Sequence, residues 1–153
     1  MSQRKPSILV VCMGNICRSP TGEAVLKAKA AQMGIAVDVD SAGTIAYHQG
    51  NPPDARARIA GEKRGYDFTG MAARPVTSDD FACFDMILAA DRDNLADLQD
   101  RCPAQYQHKL SLFLSHGQSA AEEIPDPYYG GDDGFERVLD LLEESAEAVL
   151  RKL

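Results

Sequence analysis

The sequence predicts one α/β domain in which a four-stranded parallel sheet carries helices on both faces. Three observations lead there. Its 153 residues suit one sizeable core better than two. Short apolar runs alternate with longer helical patterns, the signature of parallel strands joined by helical crossovers. The first run, Ser7–Val11, is apolar without a break from Ile8, as in a strand buried on both sides.

From Ser19, "SPTGEAVLKAKAAQMG" reads as a helix. Ser19 can cap it, Pro20 fits its first position and Gly34 marks its end. "IAVDVDSAG" alternates and then breaks, as a short strand does. "PPDARARIAGEKRGY" is helical from the prolines to Gly65, and Thr77 or Ser78 opens a helical turn over "SDDFACF". "DMILAAD", centred on Ile87 and Leu88, is another buried strand, and "RDNLADLQD" a short helix. "HKLSLFL" supplies the last strand. "GDDGFERVLDLLEESAEAVLRKL" is a long amphipathic helix with Phe135, Val138, Leu139, Leu142, Ala146 and Val149 on one side. The order β-α-β-α-β-α-β-α is that of a flavodoxin-like or Rossmann-like sheet. No repeat, linker or low-complexity tract divides it, so residues 1–153 read as a single domain.

Hydrophobic residues at 44% and charged residues at 25% make an ordinary balance. No apolar run approaches the roughly 18 residues a membrane helix needs. The start, "MSQRKPSILVVC", is basic with a short apolar run and no small-residue cleavage site, so the chain is expected in the cytoplasm. A net charge of −7 argues against nonspecific binding to nucleic acid. Cys12, Cys17, Cys83 and Cys102 do not form the two close pairs of a structural zinc site, and no metal is expected.

The chemistry gathers in "ILVVCMGNICRSPT", residues 8–21. In sheets of this kind ligands bind beyond the carboxyl ends of the strands, and Cys12 stands at such an end. The chain must then turn into a helix. Backbone N–H groups in that turn can form an anion nest, and the helix N-terminus adds positive field. Gly14 and Asn15 tolerate the backbone angles a tight cradle needs. Arg18 adds a planar fork of donors matched to phosphate oxygens. A cysteine in that field favours its thiolate, the nucleophilic form. Taken singly, the cysteine could be core, the Gly-Asn pair a turn and the arginine a surface charge. Together they describe a thiolate aimed at bound phosphorus. The stretch is not a nucleotide loop, which needs G-x-x-x-x-G-K-[ST].

With C-x5-R-S in "VCMGNICRSP" and "DPYYG" at 126–130, the chain resembles the low molecular weight protein tyrosine phosphatases over nearly its whole length. The resemblance implies that Cys12 is the nucleophile of a phosphocysteine intermediate in phosphotyrosine hydrolysis. Arg18 and the loop amides of Met13, Gly14, Asn15, Ile16, Cys17 and Ser19 would hold the phosphoryl group. Ser19 would hydrogen-bond the Cys12 thiolate, and Asn15, tied to Ser41, would brace the loop. Asp126 would protonate the leaving phenolate and then activate water. Read without the family, "EIPDPYYG" is also an ordinary Asp-Pro turn. Tyr47 and His48 would form one rim of the substrate site, and Tyr128 and Tyr129 the other. Asp91 would orient the site or cap the next helix. Cys17 could pair with Cys12 under oxidation or simply be a small packed residue, while Cys83 and Cys102 read as structural.

No cofactor is implied. The implied partners are phosphotyrosine-containing proteins and phosphate or other oxyanions, not nucleic acid or membrane, with the chain a monomer or weak dimer. Met71 stands where many relatives have a bracing histidine, which puts the loop's support in question. Two relatives of the same fold are the rivals. A thiol-dependent arsenate reductase would need a cysteine at Ala90, seven positions after Cys83. An arginine phosphatase would have threonine at Ile16. A phosphate-binding module without turnover would need neither thiolate nor acid.

Overall fold

The computed structural model describes residues 5–118, 121–127 and 132–153. Strand β1 (Ser7–Cys12) is the spine of the fold. It pairs in parallel with β2 (Asp38–Gly43) on one side and β3 (Met86–Ala89) on the other, and β4 (Leu110–Leu112) pairs with β3. The order β2-β1-β3-β4 explains why β1 is apolar throughout. Successive side chains of a strand point to opposite faces, and both faces are covered. Ile8 and Val10 enter one core with Val25 and Leu26 of helix α1 (Arg18–Met33) and Leu139, Leu142 and Val149 of α5 (Asp132–Arg151). Leu9 and Val11 enter the other with Phe81 of α3 (Ser78–Cys83) and Leu98 of α4 (Arg92–Arg101). The fully buried strand residues contribute roughly 1.5–3 kcal/mol each by leaving water.

The remaining helix, α2 (Ala55–Lys63), packs beside α1 and α5. Gly22 lets α1 lie close to the sheet, since a Cβ there would come within 3.1 Å of Val10 Cγ1 and 3.4 Å of Phe113 Cε2. Among the described residues no helix is long and apolar enough to cross a membrane.

Three local readings change. Ser19 does not cap α1: the helix starts at Arg18, two residues before Pro20, Cys17 occupies the cap position without a side-chain bond, and the Ser19 hydroxyl is used elsewhere. Gly34 does end it, with φ 70°. Helix α2 begins after the prolines, because Asp54 caps it by accepting the Arg56 N–H at 2.9 Å. The "HKLSLFL" strand is only Leu110–Leu112, since the chain coils into a 3₁₀ turn that buries Phe113 and Leu114.

From β1 the chain moves one way to β2 and then crosses back to β3. The carboxyl end of β1 is therefore the switch point where such sheets open a crevice. Cys12 is its last residue.

Candidate active site

The loop after β1 closes on the sulfur of Cys12, which is buried. Asn15 makes the closure possible by adopting φ 58°, the left-handed region that asparagine tolerates better than most residues. Its N–H then points back to Cys12 Sγ at 3.2 Å. Ser19 Oγ lies 3.0 Å from the same sulfur. That hydroxyl already accepts from Asn15 Nδ2 at 2.8 Å, and its other oxygen neighbour, Ala42 O, is farther away at 3.4 Å. The Ser19 proton is thus best used on sulfur, where it stabilises negative charge.

Asn15 is held in its unusual conformation from every side. Its Nδ2 also donates to Ser41 Oγ at 3.0 Å, and its Oδ1 accepts the Arg74 N–H at 3.0 Å. Ser41 in turn donates to Glu23 Oε1 at 2.7 Å, and Glu23 Oε2 pairs with Lys27 at 2.6 Å. A chain of hydrogen bonds therefore runs from a buried carboxylate on α1 to the sulfur. Met71 lines a cavity of about 230 Å³ behind the loop, together with Asn15, Glu23 and Ser41. The Asn15 amide has three side-chain hydrogen bonds with no histidine at position 71.

The end of β2 pins the loop's first residues. Thr44 N–H donates to Cys12 O at 2.9 Å and Ile45 N–H to Met13 O at 3.1 Å. Gly43 has to be glycine for this approach: a Cβ would sit 2.7 Å from Met13 O.

Arg18 is buried beside the cysteine. Its Nη1 donates to Asp91 Oδ2 at 2.7 Å and to Ile124 O at 3.1 Å, and its Nη2 lies 3.8 Å from Asp126 Oδ2. Burial by itself would lower the guanidinium pKa. The Cys12 charge and the Asp91 hydrogen bond outweigh it, and the net shift is upward. Asp91 also fills the expected cap of α4, its Oδ1 accepting the Asn94 N–H at 2.8 Å. The neighbouring thiol, Cys17, is pushed up to about 12 by burial first and then by the charges of Asp54, Cys12 and Asp126.

These groups face a cavity of about 340 Å³ lined by Cys12, Met13, Gly14, Ile16, Cys17, Arg18, Ile45, Tyr47, His48 and Asp126. Tyr47 is 84% exposed and meets the His48 ring edge-on, with centroids 4.8 Å apart. Asn15, Ser19 and Ser41 do not line this cavity and are hydrogen-bonded to one another beside it. Tyr128 and Tyr129 lie outside the described residues. Cys83 and Cys102 do not line this cavity, and neither is disulfide-bonded.

Four contributors escaped the sequence reading. Glu23 sits four residues after Ser19, on the same helix face, and that spacing is the signal that could have found it. Ile45, an apolar residue two before Tyr47 in a polar loop, was a weaker signal. The Arg74 N–H and the Ile124 carbonyl are backbone groups and carry no sequence signal.

What this pocket offers follows from its parts: a sulfur ringed by hydrogen-bond donors, a guanidinium beside it and a carboxyl group at the mouth, an arrangement suited to a phosphate dianion. The family model described as low molecular weight phosphotyrosine protein phosphatase matches residues 7–153. The human low molecular weight phosphotyrosine protein phosphatase is 39% identical over 158 residues, covering 98% of this chain and 97% of its own. A protein tyrosine phosphatase structure from Entamoeba histolytica, with Hepes in its active site, superposes with a TM-score of 0.94 at 44% identity, covering 97% of this chain and 96% of that one. A low molecular weight phosphotyrosine phosphatase from Vibrio cholerae gives 0.91 at 41% identity, over 96% and 95%.

Proposed function

The chain belongs to the low molecular weight phosphotyrosine protein phosphatases, cysteine-dependent hydrolases, and we propose how its residues divide their reaction. The loop amides from Met13 to Ser19 and the Arg18 guanidinium hold the phosphoryl oxygens. The Cys12 thiolate attacks phosphorus, and the P–S bond forms as the P–O bond to the phenol breaks. Asp126 gives its proton to the departing phenolate. As a carboxylate it then takes a proton from the water that attacks the phosphocysteine, releasing inorganic phosphate and the Cys12 thiolate. The hydrogen bonds converging on Cys12 Sγ, at the base of a cavity that Arg18 and Asp126 also line, carry this reading. Charge on the equatorial oxygens is met by preorganised donors rather than by water.

The rim supplies selectivity. Met13, Ile45 and Tyr47 present apolar and aromatic surface at the mouth, suited to a phenyl ring and to a protein surface around it. Tyr128 and Tyr129 would complete the opposite side. Cys17 supplies a protective route: once peroxide oxidises Cys12 to a sulfenic acid, the Cys17 thiol condenses with it, water leaves and a disulfide forms. The four unpaired cysteines suit a reducing cytoplasm. The exposed large apolar side chains among the described residues gather mainly at the mouth, which suits a monomer or weak dimer.

The test is hydrolysis of aryl phosphates in the presence of a chelator. Turnover should be unchanged by the chelator, and phosphotyrosine should be cleaved in preference to phosphoserine and phosphoarginine. Cys12→Ser should abolish turnover while still binding phosphate. Asp126→Ala should lower kcat/KM for a poor leaving group by roughly 10²–10⁴-fold and far less for a good one. Equal losses for both would remove Asp126 from the acid's role.

A further inference from the structure

The proton donor sits at the mouth of the cavity with its side chain 41% exposed, yet the segment leading to it is anchored at three consecutive residues. Ile124 donates its N–H to Ala90 O at 2.7 Å, accepts Arg18 Nη1 at its carbonyl, and buries its side chain. Glu123 Oε2 accepts the N–H of Arg92, the first residue of α4, at 2.9 Å, and Glu123 Oε1 lies 3.6 Å from the Arg92 guanidinium. Glu122 pairs with the same guanidinium.

Arg92 follows directly on Asp91, the residue that holds Arg18. One turn of chain therefore grips the phosphate-binding arginine with one residue and the acid's segment with the next. From Glu123 only Ile124 and Pro125 intervene before Asp126, and Pro125 has its φ fixed by its ring. We propose that Glu123 is a positioning residue for the proton donor, holding Asp126 in register with Arg18 through the first turn of α4. This rests on Asp126 being the acid.

The physical need is clear. A general acid works only within hydrogen-bond reach of the oxygen it protonates, and a displacement of about 1 Å can cost on the order of 10²-fold. A carboxylate against the first N–H of a helix is well placed to resist such drift, because that N–H has no partner within the helix and the helix field favours negative charge there.

The experiment measures kcat/KM, which reports the steps through cysteine phosphorylation, for aryl phosphates with good and poor leaving groups. It uses Glu123→Ala, Glu123→Gln and Asp126→Ala, each checked for an unchanged melting temperature. Glu123→Ala should lose roughly 5- to 30-fold on the poor leaving group and less than about 2-fold on the good one, a fraction of the Asp126→Ala effect. Glu123→Gln, which keeps an oxygen for the Arg92 N–H, should recover most of that loss. If Asp126→Ala is selective for the poor leaving group while Glu123→Ala lowers both substrates alike or neither, the positioning role is overturned and the acid stands. If Asp126→Ala is not selective, the acid assignment falls and the inference with it.

Discussion

Asn15 ties the loop together through three side-chain hydrogen bonds and a left-handed backbone angle. Replacing it with alanine removes two things at once. The first is tolerance of φ 58°, where an ordinary side chain costs about 1–2 kcal/mol. The second is a set of three side-chain hydrogen bonds, to Ser19, Ser41 and the Arg74 N–H. At a net 0.5–1.5 kcal/mol each they contribute about 1.5–4.5 kcal/mol. Asn15→Ala should therefore lose roughly 2.5–6.5 kcal/mol of stability, or about 5–26 °C in Tm for a domain of this size. Asn15→Gly loses the same hydrogen bonds but adopts the backbone angle freely. Set against glycine's greater flexibility in the unfolded chain, it should be less damaging than alanine by about 1 kcal/mol. Urea unfolding of the three proteins, at equal concentration and without phosphate, measures both differences. A glycine variant no more stable than the alanine variant would refute the strain argument. A loss under about 1 kcal/mol in both would refute the bracing argument.

Three further outcomes follow from the geometry. Asp91→Asn should keep the cap on α4 but weaken the hold on Arg18, raising KM for aryl phosphates with little change in Tm, whereas Asp91→Ala should lose about 1 kcal/mol of stability as well; identical Tm losses in both would separate Asp91 from the cap. Cys17, pushed up to about 12 chiefly by burial, should remain a thiol at neutral pH, so brief alkylation read by mass spectrometry should modify Cys12 before Cys17, and the Cys12 label should be lost when phosphate is present; preferential labelling of Cys17 would contradict this. Burial and the Lys152 ammonium hold the His116 imidazole below its ordinary 6.5. The unfolded chain therefore takes up that proton before the folded one, and this part of the stability, present above pH 6.5, fades as the pH falls through the lowered folded value. The Tm gap between wild type and His116→Gln should narrow from pH 7.5 to 5.5, and a constant gap would exclude the histidine.

The parts of this molecule that could be read in advance are those written in local pattern. The unbroken apolar run of β1 announced a central strand, because only a strand covered on both faces hides Ile8 to Val11 together. Cys12 at its end and Arg18 six residues on then fixed where an anion would sit. The reading went astray where one residue had two uses. Ser19 looks like a helix cap, and the fold spends its hydroxyl on the sulfur instead. "HKLSLFL" looks like a long strand, but burying Phe113 and Leu114 required a tighter coil than a strand allows. Met71 raised a question about the loop's support because a histidine there was expected to add to the brace, whereas Asn15 is held without it by Ser19, Ser41 and a backbone N–H from position 74. The Arg74 N–H and the Ile124 carbonyl join the site only through the fold, across separations that no short motif records.

Tyr47, standing 84% exposed beside a loop held by hydrogen bonds at Cys12, Asn15, Arg18 and Ser19, has an evolutionary consequence. Substitutions inside Cys12–Ser19 must satisfy sulfur, phosphate and brace together, so few can survive. A change at position 47 disturbs little besides the edge of the His48 ring. Under the proposed reaction, a lineage could therefore alter the choice of substrate by exchanging the side chain at 47, with little cost to the packing beneath it.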